Sequence, residues 1–146
     1  MLPRILATES FELPVANGLR LHDGRWFALH GSPCDNLQLA DRDSLAPSCD
    51  DAGMATLYPG FEARAEDGRI VIGGGGAFEA EGFLALFDAD TQTPRWLLYC
   101  DCAEIFVSAT FEAGGLVAMS EDYPFRYRWT FDDAMPPSLR VERIAL

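Results

Sequence analysis

Five short apolar runs separated by polar connectors occupy the stretch from Gly82 to Phe131. The runs read FLALFD, RWLLYC, EIFVSATFE, GLVAMS and RYRWTF. Aromatic and β-branched runs of this length, bounded by Asp, Gly, Pro or Thr, are typical of consecutive antiparallel strands joined by hairpins. The first two runs are apolar at nearly every position, so both should be central strands with covered faces. Because no long segment shows helical periodicity, the sequence predicts an all-β fold.

The whole chain carries about ten such short strands, which fit an antiparallel meander folded as a two-sheet sandwich or a barrel-like sheet. A propeller fragment is the weaker alternative, because closed propellers contain about four or more four-stranded blades and the sequence has no repeat of fixed period. With 146 residues, the chain is long enough to bury a core. We therefore predict a single all-β domain spanning residues 1–146.

An Asp-Gly dipeptide at 23–24 lies between two segments of alternating hydrophobicity. Glycine tolerates the positive φ that tight turns require, so the dipeptide predicts a hairpin with a two-residue loop. In that register Leu21 faces Trp26 and Leu19 faces Ala28, which gives the hairpin one apolar face.

Further strand and turn signals follow along the chain. Segments 54–58 and 61–65 read as two strands broken at a Pro-Gly pair, and a second Asp-Gly pair at 67–68 predicts another hairpin. The glycine run Gly73–Gly76 lacks the Lys-Ser/Thr of a phosphate loop and the helix of a dinucleotide fingerprint. It therefore predicts a bulge, a sharp bend or a close backbone contact. The C-terminal segment 139–146 alternates and carries charges that suit an edge strand.

The alternating pattern disappears between residues 31 and 53, where Asp, Ser and Pro predominate. We predict a long irregular loop over 31–53, with a short helical turn at Asn36–Arg42. Long loops without pattern in compact domains are usually functional or mobile, so a functional loop and a simple insertion both remain open.

The chain contains 23 acidic residues against 11 basic ones, all of them arginine, and its formal net charge is −12. This charge repels phosphate groups, which argues against nucleic-acid binding, and it favours fast encounter with a basic partner. No stretch approaches the ~18 apolar residues of a membrane span, and the N-terminal residues lack a secretory-signal pattern. We therefore expect a cytoplasmic protein that binds neither membranes nor nucleic acid.

No motif in the sequence predicts a catalytic, cofactor or metal site. His22 and His30 lie beside no nucleophile motif, and the acidic stretch 88–93 begins a segment without the glycine and terminal glutamate of a calcium loop. The four cysteines are spaced unlike zinc ligands. We interpret Cys100 and Cys102 as small core residues or a strand-end pair, with a metal site as the remaining alternative.

If residues 83–131 form an up-and-down meander, alternate connectors fall at the same end of the sheet. One end then collects acidic and aromatic residues, which suit a basic protein surface because carboxylates pair with Arg and Lys around aromatic anchors. The opposite end also collects acids, namely Asp88, Asp90, Glu112, Asp132 and Asp133. The predicted partner-binding residues are Glu79, Glu81, Asp101, Glu104, Glu121, Asp122, Tyr123 and Phe125.

The sequence GGGAFEAEGFLALFDADTQTPRWLLYCDCAEIF, followed by GLVAMS and YRWTF, resembles small acidic all-β bacterial immunity proteins paired with polymorphic or contact-delivered toxins. The resemblance covers residues 73–131 and rests on the glycine run and the placement of strands and tryptophans. It implies a stoichiometric inhibitor that occludes the active site of a cognate toxin. It carries no binding residue across to this chain, because immunity proteins have many folds.

Three functions are compatible with these features. The first is an acidic protein-binding module, most concretely an immunity protein for a basic toxin, acting as a monomer or homodimer. The second is a structural protein that oligomerises through exposed strand edges. The third is a small hydrolase or lyase that uses paired carboxylates, which ranks last because no catalytic motif is present.

Overall fold

The computed structural model describes residues 2–33, 35–48, 50 and 53–145. Within these residues, twelve strands form two antiparallel sheets. The strands are β1 (Phe11–Pro14), β2 (Gly18–Leu21), β3 (Trp26–Ser32), β4 (Asp35–Leu39), β5 (Met54–Arg64), β6 (Ile70–Gly76), β7 (Gly82–Phe87), β8 (Trp96–Cys100), β9 (Phe106–Glu112), β10 (Gly115–Asp122), β11 (Phe125–Asp132) and β12 (Leu139–Ala145).

The larger sheet has the strand order β1-β5-β6-β7-β8-β2-β3-β4, and the smaller sheet has the order β12-β11-β10-β9. This arrangement confirms the all-β prediction and its two-sheet alternative, since neither sheet closes into a barrel. The predicted central strands β7 and β8 have neighbours on both sides, and β12 is an edge strand as predicted. The stretch 82–131 is not one continuous meander, because β8 pairs with β2 and β9 begins the smaller sheet.

Two apolar clusters cover the two faces of the larger sheet. Along β7, Leu84 belongs to the cluster that packs against the smaller sheet, whereas Phe83 and Ala85 belong to the cluster on the outer face. The N-terminal residues Leu2 and Ile5 are buried against that outer face. Because both faces are covered, β7 and β8 need apolar residues at consecutive positions, which explains their solidly apolar sequences.

Both Asp-Gly pairs form hairpins with three-residue loops, whereas the sequence predicts a two-residue loop for the first of them. In the first hairpin, the main-chain N–H of Leu21 donates to the carbonyl of Arg25 at 2.8 Å. Leu19 consequently pairs with Phe27, one position away from the predicted register. The third loop residue, Gly24, has a φ of 94°. A residue in the left-handed region at this position is typical of hairpins with three-residue loops. The hairpin at 66–68 repeats this geometry.

Strand β5 runs without interruption from Met54 to Arg64, so the predicted break at Pro59–Gly60 is wrong. The register with β6 shifts between Pro59 and Phe61 instead, which makes Gly60 the extra residue of a bulge. Opposite this bulge, a Cβ atom on Gly74 would lie only 2.1 Å from the carbonyl oxygen of Tyr58. The glycine run therefore provides the close backbone contact that its sequence predicts.

The segment predicted as an irregular loop at 31–53 contains strand β4, which pairs with β3. A helical turn at Asn36–Arg42 is therefore wrong. In β4, Leu37 and Leu39 both pack against the cluster between the sheets. Apolar residues at every second position favour a strand over a helix. Cys34 and Cys49 lie outside the described residues.

Candidate functional site

Three connectors meet at one end of the sheets. The main-chain N–H of Glu104 donates to the carbonyl of Ala80 at 2.9 Å, and that of Glu121 donates to the carbonyl of Ile105 at 3.2 Å. The first bond joins the β6–β7 and β8–β9 connections, and the second joins the β8–β9 connection to the end of β10, beside the β10–β11 turn. The connectors that the sequence places at a common end are therefore together, although the chain changes sheets between β8 and β9. We call this surface the connector end, and it comprises residues 77–81, 101–105 and 121–125.

Half of the predicted partner-binding side chains are exposed at the connector end. Tyr123 is the most open of them, with 87% of its surface exposed. The exposed members are Glu79, Asp101, Asp122 and Tyr123, the half-buried members are Glu104, Glu121 and Phe125, and the buried member is Glu81. The structure therefore brings the predicted set to one region but removes one residue from its surface.

Two of the predicted acids are already engaged inside the protein. The side-chain amide of Asn17 donates to the Asp101 carboxylate at 2.8 Å and accepts the main-chain N–H of Asp101 at 2.8 Å. The Glu121 carboxylate forms an ion pair with the guanidinium of Arg126. Both carboxylates are less available to a partner than their positions in the sequence suggest.

Two exposed acids of the predicted set remain free to bind a partner, and Glu104, whose carboxylate also has no partner among the described residues, is half-buried. Among the described residues, the carboxylates of Glu79 and Asp122 have no hydrogen-bond or ion-pair partner, and both side chains are exposed. Next to Asp122, its strand partner Phe125 has the guanidinium of Arg143 4.4 Å from its ring centre, a cation–π contact that holds this ring in place. Glu79 and Asp122 are therefore the acids best placed to attract a cationic group.

Glu81 has an internal role instead of the predicted partner-binding role, because only 5% of its surface is exposed. The Tyr99 hydroxyl donates to Glu81 Oε2 at 2.5 Å, and the main-chain N–H of Phe78 donates to Oε1 at 3.0 Å. A Cβ atom on Gly76 would lie 2.3 Å from Oε1, so the glycine makes room for this carboxylate. Glu81 thus fixes the 77–81 connector from the inside.

Tyr99 should make the stability of the protein fall at alkaline pH. Burial and the hydrogen bond to the Glu81 carboxylate raise the pKa of Tyr99 above its ordinary value of 10.0. The unfolded chain therefore releases this proton first, so the stabilisation is complete below pH 10 and is lost as the pH rises further. Urea unfolding across this range should show a steeper decline for the wild type than for Tyr99→Phe. Tyr123→Phe, at an exposed ring, is the control that should keep the wild-type slope, and equal slopes for all three proteins would contradict the assignment.

Three exposed apolar side chains lie beside the same connectors and were not predicted from the sequence. Tyr58, Phe78 and Ile105 are 51%, 72% and 46% exposed. Tyr58 pairs with Gly75 across β5 and β6, and a Cβ atom on Gly75 would lie 3.1 Å from Ile105 Cγ1, so Ile105 lies over that glycine. One feature of the sequence could have indicated this apolar surface, namely Phe78, an aromatic residue within a short polar connector.

The opposite end of the sheets has acids but no comparable apolar surface. Asp67 and Asp133 both bind the guanidinium of Arg69, at 2.8 Å and 3.0 Å. Asp132 accepts main-chain N–H groups of its own connector. Of the described residues, the connectors 65–69, 88–95 and 133–138 at this end contain no exposed large apolar side chain. One such side chain, Leu45, is 95% exposed and follows Ser44, which pairs with Trp26 at the start of β3. The two ends therefore differ more than their charges alone predict.

Besides the connector end, the described residues include a ligand-sized cleft but no group of metal ligands and no membrane-spanning helix. A cleft of about 550 Å³ lies on the outer face beside Ile5, Ile70 and Phe87; its rim acid Glu62 pairs with Arg64 at 3.3 Å. In the described ranges, no three His, Cys, Asp or Glu side chains are grouped as metal ligands. The same ranges contain no helix with the length and apolar character needed to cross a membrane.

Comparison with protein-family models, with curated proteins and with solved structures finds no match to this chain. A role for the connector end must therefore be inferred from its own residues.

Proposed function

We propose that this protein is an acidic binding module whose connector end binds a basic protein. The observation that carries the proposal is that exposed apolar side chains and free carboxylates occur together where the three connectors meet. The apolar side chains are Phe78, Ile105 and Tyr123 of the connector end together with Tyr58 of the adjoining strand β5, and the free carboxylates are Glu79 and Asp122.

The apolar members suit the centre of a protein interface. Aromatic side chains there supply much of the binding free energy, because they bury a large area and lose few rotamers. The connectors that hold them are fixed by internal hydrogen bonds, notably those to Glu81. A surface that is already ordered costs less conformational entropy on binding.

The carboxylates suit the rim of such an interface and the encounter that precedes binding. A net charge of −12 speeds the approach of a basic partner through long-range attraction, and salt screens that attraction. Arg and Lys side chains of the partner would then pair with Glu79 and Asp122 beside the aromatic rings. The partner that fits is therefore a protein with a basic, partly apolar surface.

More concretely, we propose an immunity protein that inhibits a cognate bacterial toxin by stoichiometric binding in the cytoplasm. Residues 73–131, which resemble such proteins, contain all three segments of the connector end. An enzyme that acts on an anionic substrate presents a basic active-site surface, and an acidic protein bound there excludes the substrate. Inhibition then needs no catalytic group on the inhibitor.

The first experiment is a capture of partners from the native host with the tagged full-length protein, at low and high salt. The expected result is one basic protein recovered in stoichiometric amount, with faster association at low salt. Recovery of the bait alone at both salt concentrations would contradict the proposal and would redirect attention to self-association.

Charge reversal at Glu79 and Asp122 should weaken binding to the captured partner. We expect the Glu79→Lys, Asp122→Lys variant to bind at least ~tenfold more weakly, because it replaces local attraction with repulsion. These positions are preferred to Glu121, whose carboxylate already pairs with Arg126.

The matched control is Glu66→Lys, Glu112→Lys, at exposed acids of the opposite end. Each reversal adds two charges, so both double variants change the net charge from −12 to −8, and overall attraction is equal. Titration calorimetry should show near-normal affinity for the control variant. Equal weakening in both variants would mean that only overall charge matters and would remove the connector end from the interface.

A further inference from the structure

Two thiols lie in contact at the connector end. Cys100 is the last residue of β8 and is buried, and Cys102 is half-buried in the connector that follows. Their Sγ atoms are 3.0 Å apart, and the main-chain N–H of Cys102 donates to Cys100 Sγ at 3.4 Å. A small movement of either side chain brings the sulfur atoms to the S–S bond length of about 2.05 Å.

We propose that Cys100 and Cys102 form a thiol–disulfide exchange site for small disulfides, a role that does not depend on the proposed protein partner. The thiolate of Cys102 attacks one sulfur of the small disulfide, breaks its S–S bond and releases one thiolate, which takes up a proton. Cys100 then gives its proton to solvent and attacks the Cys102 sulfur, which breaks the mixed disulfide and releases the second thiolate, which also takes up a proton. Two protein thiols are oxidised to one disulfide, and one small disulfide is reduced to two thiols.

The surroundings of the two sulfur atoms indicate that Cys102 reacts first and Cys100 second. Cys102 is the more exposed, and the hydrogen bond from the Cys100 thiol lowers the pKa of Cys102. The same contact, together with burial, raises the pKa of Cys100, which therefore remains a thiol until the first step is complete. When Cys100 acts, the N–H of Cys102 stabilises the negative charge that develops on its sulfur.

The charges around the pair favour a cationic disulfide. Asp101 lies between the two cysteines, and Glu104 follows in the same connector. Their carboxylates attract a cationic reagent such as cystamine and repel an anionic one such as oxidised glutathione. A disulfide between residues two positions apart closes a small ring, and strained disulfides of this kind are readily reduced again.

The test uses the full chain with Cys34→Ser and Cys49→Ser, so that thiol titration reports only the pair. Treatment with cystamine should give a protein that has lost two hydrogen atoms by intact mass, with no adduct and no free thiol. Dithiothreitol should restore both thiols, and oxidised glutathione should react more slowly than cystamine. The further change Cys100→Ser should stop the reaction at one adduct on Cys102. Cys102→Ser should form its adduct more slowly than Cys100→Ser, by about tenfold or more, because Cys100 is buried and protonated.

Two results would overturn the proposal. One is that both thiols remain titratable after cystamine or that both carry stable adducts. The other is that Cys100→Ser and Cys102→Ser react at equal rates. Cys100→Ala replaces Cys100→Ser if the buried hydroxyl prevents folding, and peptide mapping of the oxidised wild-type chain locates the disulfide without any substitution.

Discussion

Replacement of Trp129 by alanine is expected to lower the free energy of unfolding by about 3–5 kcal/mol. Trp129 is fully buried between the sheets, and its ring centre lies 5.0 Å from that of Phe106 in an edge-on contact. Its indole N–H donates to Ser120 Oγ at 2.9 Å. The truncation removes the apolar contacts, leaves a cavity and deprives a buried hydroxyl of its donor. Urea unfolding followed by circular dichroism measures the loss, and an unchanged transition would place Trp129 outside the core.

A pair of phenylalanine variants separates the hydrogen bond of Trp129 from its packing. Trp129→Phe keeps an aromatic ring but removes the N–H that Ser120 accepts, which should add about 1–3 kcal/mol to the loss of apolar contact. Trp26 is also buried, and its indole N–H has no hydrogen-bond partner among the described residues. Trp26→Phe therefore removes an unsatisfied donor and should cost less than Trp129→Phe. Equal losses would mean that the bond to Ser120 contributes nothing measurable.

The parts of the fold that follow from side-chain chemistry alone could be predicted from the sequence. The solidly apolar run in β7 indicates a strand covered on both faces, and the charges of β12 indicate an edge. The pairing of β8 with β2 joins residues about eighty positions apart, such as Leu98 and Leu19, and local patterns carry no information about it. The predicted pairing of β2 with β3 is wrong by one residue for a local reason. An Asp-Gly pair suits both two-residue and three-residue loops, and the two loops give different registers.

The candidate site also has a part that could be predicted from the sequence and a part that could not. That three connectors share one end follows from antiparallel connectivity, so Glu79 and Asp122 could be placed there from sequence. The burial of Glu81 depends on the hydroxyl of Tyr99 and on the missing Cβ of Gly76, and no local pattern encodes such a pair. Similarly, the position of Tyr58 beside Ile105 depends on its pairing with Gly75 across β5 and β6, which no local pattern encodes.

The glycine run connects the fold to the connector end. Each of its positions lies against a different neighbour: the ring of Phe61 at Gly73, the backbone of β5 at Gly74, Ile105 at Gly75 and the Glu81 carboxylate at Gly76. Because these four positions of β6 are glycines, β5 has room for its bulge and the connectors can pack against β6. A substitution in this run is expected to change both stability and the surface that we propose as the binding site.

Gly74→Ala is the sharpest test of that connection. The new Cβ atom would lie 2.1 Å from the Tyr58 carbonyl oxygen and 2.8 Å from the Gly60 nitrogen. Both are main-chain atoms, so no side-chain rotation relieves the clash and the strands must move apart. We expect the free energy of unfolding to fall by about 3 kcal/mol, the upper end of the usual cost of overpacking. Binding to the captured partner should weaken as well, because Tyr58 and Ile105 lie beside the disturbed contact.

The matched control is Gly60→Ala, on the other side of the same contact. A Cβ atom on Gly60 has no neighbour closer than 3.8 Å, and the backbone there is not in the left-handed region. Alanine should fit without strain and should raise the free energy of unfolding by about 0.4–1 kcal/mol, because it restricts the unfolded chain. The two substitutions are thus expected to have opposite signs at neighbouring positions. Similar losses at both glycines would mean that the strands need flexibility at this point, and a neutral Gly74→Ala would show that the close backbone contact is not required.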